Sequence, residues 1–378
     1  MTLQKWRLEF FRRIRRVRGS SEIKWPPVPE GVFLNPSDAD FGAYESAPLA
    51  LTWNAVPGRE PQGWQKQVRA KLGELLGLAP ASPADPQAVI GAGATAKDGL
   101  RRQTFYLRCA PRRHIPVTVV WNTERAGQAL PVMICLQGHT SGAHISWGEA
   151  RSPIDVERIA NGGDFAVQAA HHGHVAVCIE QIAFGERQER AIAHRWTHSC
   201  IDAANRALLM GRTLLGDRVT DVLSVTAWLR QAGAGLPAMD LARLRIMGNS
   251  AGGDTALFST AIEPAIEAMI ASGCVGAWRK TSGTRQTCPD TVIPGILAWI
   301  EYSDVVALCA PRATLVVSGL QDHLYPYRLA AECAEDARPV FTAMNAGHRL
   351  LSVPGPAGHR FYPDIAWPAF MGLMEESV

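Results

Sequence analysis

Short runs of consecutive apolar residues alternate with longer segments of helical periodicity over most of the chain after residue 100. Runs such as Pro131–Leu136, His174–Ile179 and Ala313–Ser318 show no polar alternation, whereas Phe165–His171 repeats its apolar side chains at helical spacing. Unbroken apolar strands separated by helices are typical of a parallel sheet that is covered on both faces. The pattern therefore predicts an α/β fold with a mostly parallel sheet flanked by helices.

We expect eight strands in this sheet. Two runs around Pro111, Thr104–Cys109 and His114–Trp121, predict an antiparallel pair at its beginning. The six later runs span residues 131–136, 174–179, 244–247, 266–272, 313–318 and 349–353. One long helical tract, Cys200–Gln231, comes before the run at 244–247.

The first hundred residues have a different organisation. The segment KWRLEFFRRIRRVRG predicts a basic amphipathic helix, residues 20–60 an irregular arm, Trp64–Leu76 a helix that Gly77 ends, and residues 80–96 a linker. We therefore divide the chain near residue 100 into an N-terminal extension, 1–100, and an α/β domain, 101–378. The basic helix is expected to dock on its own domain or on a second copy, which would make a homo-oligomer, rather than on an anionic membrane.

Composition and charge narrow the class of protein. At 378 residues and 47% hydrophobic, the chain can bury a large core, and its net charge of +3 does not favour a nucleic-acid partner. Several of the eight cysteines, such as Cys135 and Cys178, lie inside apolar strands, which predicts free thiols and a cytoplasmic location. The chain has no C-x-x-C pair. His194 and His198 have the i, i+4 spacing of a helical metal site, but neither the glutamate of a zinc-protease motif nor a third ligand accompanies them. We expect no metal and no cofactor.

The sequence Gly248-Asn249-Ser250-Ala251-Gly252 stands between an apolar strand, Leu244–Met247, and a helical run that begins near Asp254. A Gly-x-Ser-x-Gly turn between a strand and a helix is a nucleophile elbow, which exposes its serine hydroxyl above the sheet. The alternative is a glycine-rich turn whose serine caps the helix. The context favours Ser250 as a catalytic nucleophile.

A serine needs a base to take its proton and an acid to orient that base. Asp322 follows the strand TLVVS in the turn GLQDHLYP, where it is either this acid or a turn aspartate that bonds its own backbone. His348 and His359 both follow Ala-Gly and compete for the role of base. The last strand separates them, and only His359 comes at the carboxyl end, where Ser250 and Asp322 are expected. We therefore predict the triad Ser250, Asp322 and His359.

The oxyanion of the reaction needs donors. One is expected to be the backbone N–H of Ala251, and the other the N–H of His139 or, second, of Thr140, in the loop Gln137–Gly142. The side chains of His139 and His144 either line the pocket or are solvated loop histidines. Pocket-lining roles are further predicted for Trp147, Phe184, His198 and Trp278.

Residues 115 to 375 resemble the α/β-hydrolase superfamily, in particular its dienelactone-hydrolase-related branch of bacterial serine esterases and acetyl-xylan-esterase-like proteins. The resemblance rests on CLQGHTSG, EQIAFGER, GRTLLGDRVTDVLSVTAWL, GNSAGG, PGILAWIEYSDVVALCAPRATLVVSGLQDHLYP and GHRFYPDIAWPAF. It implies an α/β-hydrolase fold and the same triad. Founding dienelactone hydrolases have a cysteine nucleophile, so the serine at position 250 favours ordinary ester hydrolysis. Gln137 stands where many relatives have histidine.

These observations predict a serine hydrolase that cleaves a small carboxylic ester through an acyl-enzyme. Two alternatives remain within enzymes, a carbohydrate acetyl esterase or deacetylase and a hydrolase of a small amide or peptide. A wide polar cleft would favour the first, and a cation that anchors a substrate carboxylate would favour the second. The alternative outside enzymes is a catalytically silent binding protein with the hydrolase fold.

Overall fold

The computed structural model of the protein describes residues 26–34, 42–44, 46–55, 58–78, 88–91, 99–110, 112–189, 199–231, 236–281 and 288–375. The chain separates into two compact units, Met1–Glu45 and Ser46–Val378. In the first, residues 26–34 form an exposed segment with a turn at Glu30 and Gly31. The predicted basic N-terminal helix, His194 and His198 lie outside the described residues.

The second unit carries the sheet and its helices. The strands are β1 (Ala88–Ile90), β2 (Leu100–Ala110), β3 (Arg113–Asn122), β4 (Leu130–Leu136), β5 (Val175–Ile179), β6 (Met239–Asn249), β7 (Ala268–Ser272), β8 (Ala313–Gly319) and β9 (Leu350–Gly355). The helices are α1 (Pro61–Leu76), α2 (Pro153–Arg158), α3 (Phe165–His171), α4 (Ser199–Leu209), α5 (Leu214–Gln231), α6 (Ala251–Ile262), α7 (Trp278–Thr281), α8 (Tyr302–Ala307), α9 (Tyr327–Ala343) and α10 (Pro363–Glu375).

All nine strands join one sheet in the order β1-β2-β3-β5-β4-β6-β7-β8-β9. The pairs β1–β2, β2–β3 and β3–β5 are antiparallel, and every pair from β5–β4 to β8–β9 is parallel. The predicted α/β-hydrolase fold, with its opening antiparallel pair, is confirmed. The sheet has one strand more than predicted, because β1 forms within the segment interpreted as a linker and pairs with the edge of β2.

The helical tract predicted over Cys200–Gln231 is two helices rather than one. Gly211 lies between α4 and α5 with φ of +69°, a left-handed conformation that glycine adopts without steric cost. The break separates α4 from α5. Apolar residues of α5 are buried in the main core with the strands, while Ile201 of α4 lines the cavity described below.

Helix α1 belongs to the same core as the sheet. Glu60 caps its start by accepting from the N–H of Gln62 at 2.8 Å, and Gly77 ends it in the left-handed conformation, as the sequence predicts. Its stripe of apolar residues at every fourth position is buried in the main core with strands of the sheet: Trp64, Val68, Leu72 and Leu76. Burial of each such side chain contributes about 2 kcal/mol.

The position of α1 differs from the predicted division of the chain into an N-terminal extension and an α/β domain. The predicted division near residue 100 separates α1 from the sheet, whereas the structure places Ser46–Val378 in one unit. The physical reason is the length of the apolar stripe on α1, which only a neighbouring hydrophobic surface can cover. None of the helices in the described ranges combines the length and hydrophobicity that a membrane span requires.

Candidate active site

Ser250 occupies a strained turn between β6 and α6. Its backbone has φ of +58° and ψ of −129°, a region that non-glycine residues rarely adopt. The flanking glycines permit the turn: a Cβ at Gly248 would lie 2.2 Å from the carbonyl oxygen of Gly252, and one at Gly252 would lie 2.2 Å from that of Leu136. The Ser250 N–H donates to the carbonyl of Ser272 on the next strand at 2.8 Å. This is the geometry of a nucleophile elbow.

Asp322 and His359 form a hydrogen-bonded pair at the same edge of the sheet. His359 Nδ1 lies 2.7 Å from Asp322 Oδ2. The other carboxylate oxygen, Oδ1, accepts from the backbone N–H groups of Leu324 at 2.8 Å and Tyr325 at 2.9 Å. Burial raises the pKa of Asp322, but the hydrogen bond and charge of His359 and the two backbone donors outweigh it, so that the pKa lies below its usual range. Asp322 therefore stays ionised and holds the imidazole in one orientation.

The three residues of the predicted triad lie at one edge of the sheet because β6, β8 and β9 run parallel. Ser250, Asp322 and His359 each follow the carboxyl end of one of these strands. Ser250 and His359 both line one cavity of about 910 Å³. Gly273 makes room for the imidazole, since a Cβ there would lie 3.1 Å from His359 Cε1. His348, the rival base, is exposed at the opposite end of β9.

The loop after β4 approaches Ser250 closely. A Cβ at Gly138 would lie 2.6 Å from the carbonyl oxygen of Asn249 and 2.8 Å from Ser250 Cβ. Gly138, His139, Thr140 and Ala251 all line the cavity. Within the described part of the chain, the backbone N–H groups of His139 and Ala251 donate to no other group. They are thus free to bind an anion beside Ser250.

Buried polar side chains hold this loop in place. Gln137 Nε2 donates to Ser146 Oγ at 2.8 Å and to the carbonyl of Gly163 at 2.6 Å. Gln181 in turn donates to the Gln137 carbonyl and accepts from Thr255 Oγ1 at 2.7 Å. The sequence-based interpretation assigned no role to Gln137 or Gln181 in fixing the loop.

The same loop continues over a buried histidine and a buried glutamate. His144 Nε2 lies 3.2 Å from Asp155 Oδ2 and is 3% exposed, so its ring supports the loop rather than lining the cavity. Glu180 accepts from the Ala143 N–H at 3.1 Å. Burial raises the pKa of Glu180 to about 7, although the N–H groups of Ala143 and Glu186 oppose the shift. Glu180 therefore carries a proton over much of the acidic range.

A second cluster of side chains forms another wall of the cavity. His139 Nε2 lies 3.3 Å from Asp290 Oδ2 and 3.4 Å from Cys200 Sγ, and Cys200 Sγ lies 3.1 Å from Cys288 Sγ. Arg218 Nη1 donates to Asp290 Oδ2 at 2.7 Å, and both of these side chains are fully buried. Burial lowers the pKa of His139, but hydrogen bonds to Asp290 and Cys288 raise the pKa by more than burial lowers it, to about 9.

The aromatic residues predicted to bind substrate contact other parts of the protein instead of the cavity. Trp147 donates to Glu149 at 3.0 Å, and Trp278 packs against Tyr302 with ring centroids 4.8 Å apart. Phe184 supports the back of the His139 ring, with centroids 5.2 Å apart. None of the three is among the described residues that line the cavity. His198 lies outside the described residues.

The cavity also has polar lining residues that no sequence motif indicates. Arg158 donates to the carbonyl of His139 at 3.2 Å, and Arg360 donates to Asn161 Oδ1 at 2.6 Å. All three side chains belong to the lining. They come from segments without a recognisable motif, so only their spatial position identifies them.

The fold and the site define an α/β-hydrolase with a serine elbow. The chain belongs to the Abhydrolase family, whose sequence model matches residues 47–340. The match includes α1 and Asp322 and ends before His359. No curated protein matches the chain in sequence.

Several solved structures share the fold. A candidate acetyl xylan esterase from Bacteroides fragilis superimposes with a TM-score of 0.68 at 16% identity, over 90% of this chain and 86% of that one. A glucuronoyl esterase from Solibacter usitatus gives a TM-score of 0.63 at 13% identity, over 87% and 96%. One from Teredinibacter turnerae gives 0.60 at 14% identity, over 95% and 94%.

Proposed function

We propose that this protein is a serine hydrolase that cleaves a small carboxylic ester through an acyl-enzyme. The observation that carries the proposal is the partly buried Asp322–His359 hydrogen bond at 2.7 Å, in a pair that shares a sheet edge with the strained Ser250. An oriented imidazole beside an exposed hydroxyl is the arrangement that activates a serine.

Each step of the reaction has a residue to perform it. Ser250 Oγ attacks the ester carbonyl while His359 Nε2 takes its proton, and Asp322 stabilises the resulting imidazolium. The N–H groups of Ala251 and His139, with Thr140 as the second candidate of the loop, donate to the oxyanion. His359 then gives the proton to the leaving alcohol, and the same imidazole activates the water that releases the acid.

The lining of the cavity favours an ester with a polar alcohol or acyl group. Its volume of about 910 Å³ is at the upper end for small-molecule sites, and Arg158, Asn161 and Arg360 make one side polar. These features support a carbohydrate ester as the second candidate substrate, in line with the fold neighbours named acetyl xylan and glucuronoyl esterases. The two arginines already donate to oxygens of the protein, which weakens the case for a peptide substrate anchored by its carboxylate.

Fluorophosphonate labelling tests the proposal. The folded wild-type protein should gain one phosphonyl group on Ser250, seen by intact mass and peptide mapping, because an activated hydroxyl attacks phosphorus as it does carbon. Ser250→Ala should not be labelled and should lose nearly all hydrolysis of p-nitrophenyl acetate. Folded protein that remains unlabelled would favour the silent binding protein. A panel of sugar acetates and uronate methyl esters would then rank substrates.

The remaining expectations about partners stay part of this proposal. None of the eight cysteines, all of them in the described residues, forms a disulfide, which supports a reducing, cytoplasmic location. The net charge of +3 gives no reason to expect nucleic acid. A homo-oligomer formed through the N-terminal extension stays a prediction, because the basic helix lies outside the described residues.

A further inference from the structure

Four side chains of the types that bind metal ions meet beside the cavity. They come from the loop after β4 (His139), the second residue of α4 (Cys200) and the turn around residue 289 (Cys288 and Asp290). One donor atom from each lies within 4.8 Å of all the others. The proposed ester hydrolysis uses none of these side chains as acid, base or nucleophile.

The distances suit a tetrahedral ion. With zinc–sulfur bonds of about 2.3 Å and zinc–nitrogen or zinc–oxygen bonds of about 2.0 Å, the edges of a tetrahedron are roughly 3.3 to 3.8 Å. The separations in the structure are 3.1 Å between Cys200 Sγ and Cys288 Sγ, 3.4 Å between Cys200 Sγ and His139 Nε2, and 3.3 Å between His139 Nε2 and Asp290 Oδ2. The nitrogen–oxygen and sulfur–nitrogen separations match such edges closely, and the two sulfur atoms would have to move apart by roughly 0.7 Å to complete the coordination shell.

The donor set and its charges also suit such an ion. Two thiolates, an imidazole and a carboxylate are ligands that select zinc over magnesium or calcium. Two thiolates and Asp290 carry three negative charges, which a divalent ion together with the buried Arg218 would balance. Asp290 Oδ1 is buried without a hydrogen-bond partner in the described structure, whereas Oδ2 receives Arg218. An unpartnered buried carboxylate oxygen is costly unless something binds it, so an ion that Asp290 binds through both oxygens would remove this cost.

An ion can reach the cluster from the cavity. His139, Cys288 and Asp290 belong to the cavity lining, and the side chain of His139 is 38% exposed. Phe184 closes the other side by packing on the His139 ring. The cluster is therefore open on one side and walled on the other.

We propose that His139, Cys200, Cys288 and Asp290 bind one zinc ion or a similar thiophilic divalent cation, which fixes the oxyanion loop to α4 and the turn at 288–290. The ion is a positioning element, because it would hold the side chain of His139, the residue whose backbone N–H is the proposed oxyanion donor. Binding does not require Ser250, so the inference stands apart from the proposed hydrolysis. It revises the sequence-based expectation that the chain binds no metal.

Cobalt titration of the reduced, chelator-treated full chain tests this inference. One equivalent of Co²⁺ should produce the visible bands of a tetrahedral site and a thiolate-to-cobalt charge-transfer band, and zinc should displace both. Cys200→Ser and Cys288→Ser should each lose most of the charge-transfer intensity and bind zinc at least tenfold more weakly. Cys109→Ser, a half-buried cysteine on β2, is the matched control and should bind like wild type.

Several outcomes would overturn the inference. Absence of the bands in the wild type, bands that persist in the Cys200→Ser variant, or a Cys200–Cys288 disulfide as the only chemistry of the cluster would each do so. Ser250→Ala separates this result from the proposed function, since it should bind cobalt normally while it fails to hydrolyse ester. Zinc should also raise the melting temperature of the wild type but not of Cys288→Ser.

Discussion

The two walls of the cavity are built in different ways. The strand-end wall consists of Ser250 and His359, together with Asp322, and stands on the carboxyl ends of parallel strands; one hydrogen bond of 2.7 Å joins its acid to its base. The loop wall consists of His139, Cys288 and Asp290, together with the neighbouring Cys200, and gathers residues from three segments around a buried ion pair with Arg218. The strand ends thus bring the residues of the first wall to one place, whereas the second is assembled by contacts between side chains.

The difference predicts how substitutions in each wall affect the protein. In the strand-end wall a substitution removes a chemical group while the sheet keeps its shape. In the loop wall a substitution leaves buried charges unbalanced, which costs stability. We therefore expect the first kind of variant to change turnover and the second kind to change folding.

Replacing the base tests the strand-end wall and should have the largest effect. His359→Ala is expected to lower kcat by on the order of 10⁴-fold or more, since the serine loses its proton acceptor. Steady-state hydrolysis of p-nitrophenyl acetate measures this. His348→Ala is the matched control at the other end of β9 and should keep wild-type turnover. If His348→Ala lost activity and His359→Ala kept it, His348 rather than His359 would be the base.

Gly138→Ala tests the point where the two walls meet. The new Cβ would press on Asn249 and Ser250 at less than 3 Å and push the loop with its donor away from the oxyanion. Loss of one oxyanion donor costs about 10² to 10³ in kcat. Gly127→Ala, where a Cβ meets nothing within 4 Å, should be silent. Equal activity of the two variants would show that the loop does not contribute an oxyanion donor.

Arg218→Met tests whether the ion pair holds the loop wall. The substitution leaves Asp290 buried without its partner and should lower the free energy of unfolding by about 3 to 5 kcal/mol. Urea denaturation measures the change. Arg328→Met, at an exposed pair with Glu332, should change it by less than about 1 kcal/mol. Similar losses of stability in both variants would show that the buried pair contributes no more to folding than the exposed pair does.

Glu180→Gln tests the support beneath the loop, with the smallest expected effect. Between its ordinary pKa of 4.5 and about 7, the folded protein keeps the Glu180 proton that the unfolded chain loses, so wild-type stability should fall as pH rises through this window. The stability of the variant lacks this pH dependence. Its free energy of unfolding should therefore rise relative to that of the wild type between pH 5 and pH 8, by up to about 3 kcal/mol. Parallel stability curves for the two proteins would contradict the raised pKa.

Much of the strand-end wall could be predicted because its determinants are local. The apolar runs of β4, β7 and β8 identify strands, and the choice of His359 over His348 needs only the order of strands. The structure brings Asp322 and His359 into contact as that order predicts, while their catalytic roles remain proposals. The three aromatic pocket residues could not be placed in this way, because the direction of a side chain depends on what packs around it.

By itself the sequence determined the α/β class, the serine turn and the ends of helices such as α1. These features depend on periodicity and on backbone conformations that a few neighbouring residues impose. Only the tertiary structure decided that α1 joins the sheet, that β1 extends it, and that His139, Cys200, Cys288 and Asp290 meet. The reason is that the distance between residues far apart in the chain is set by the packing of whole elements, which leaves no local pattern to read.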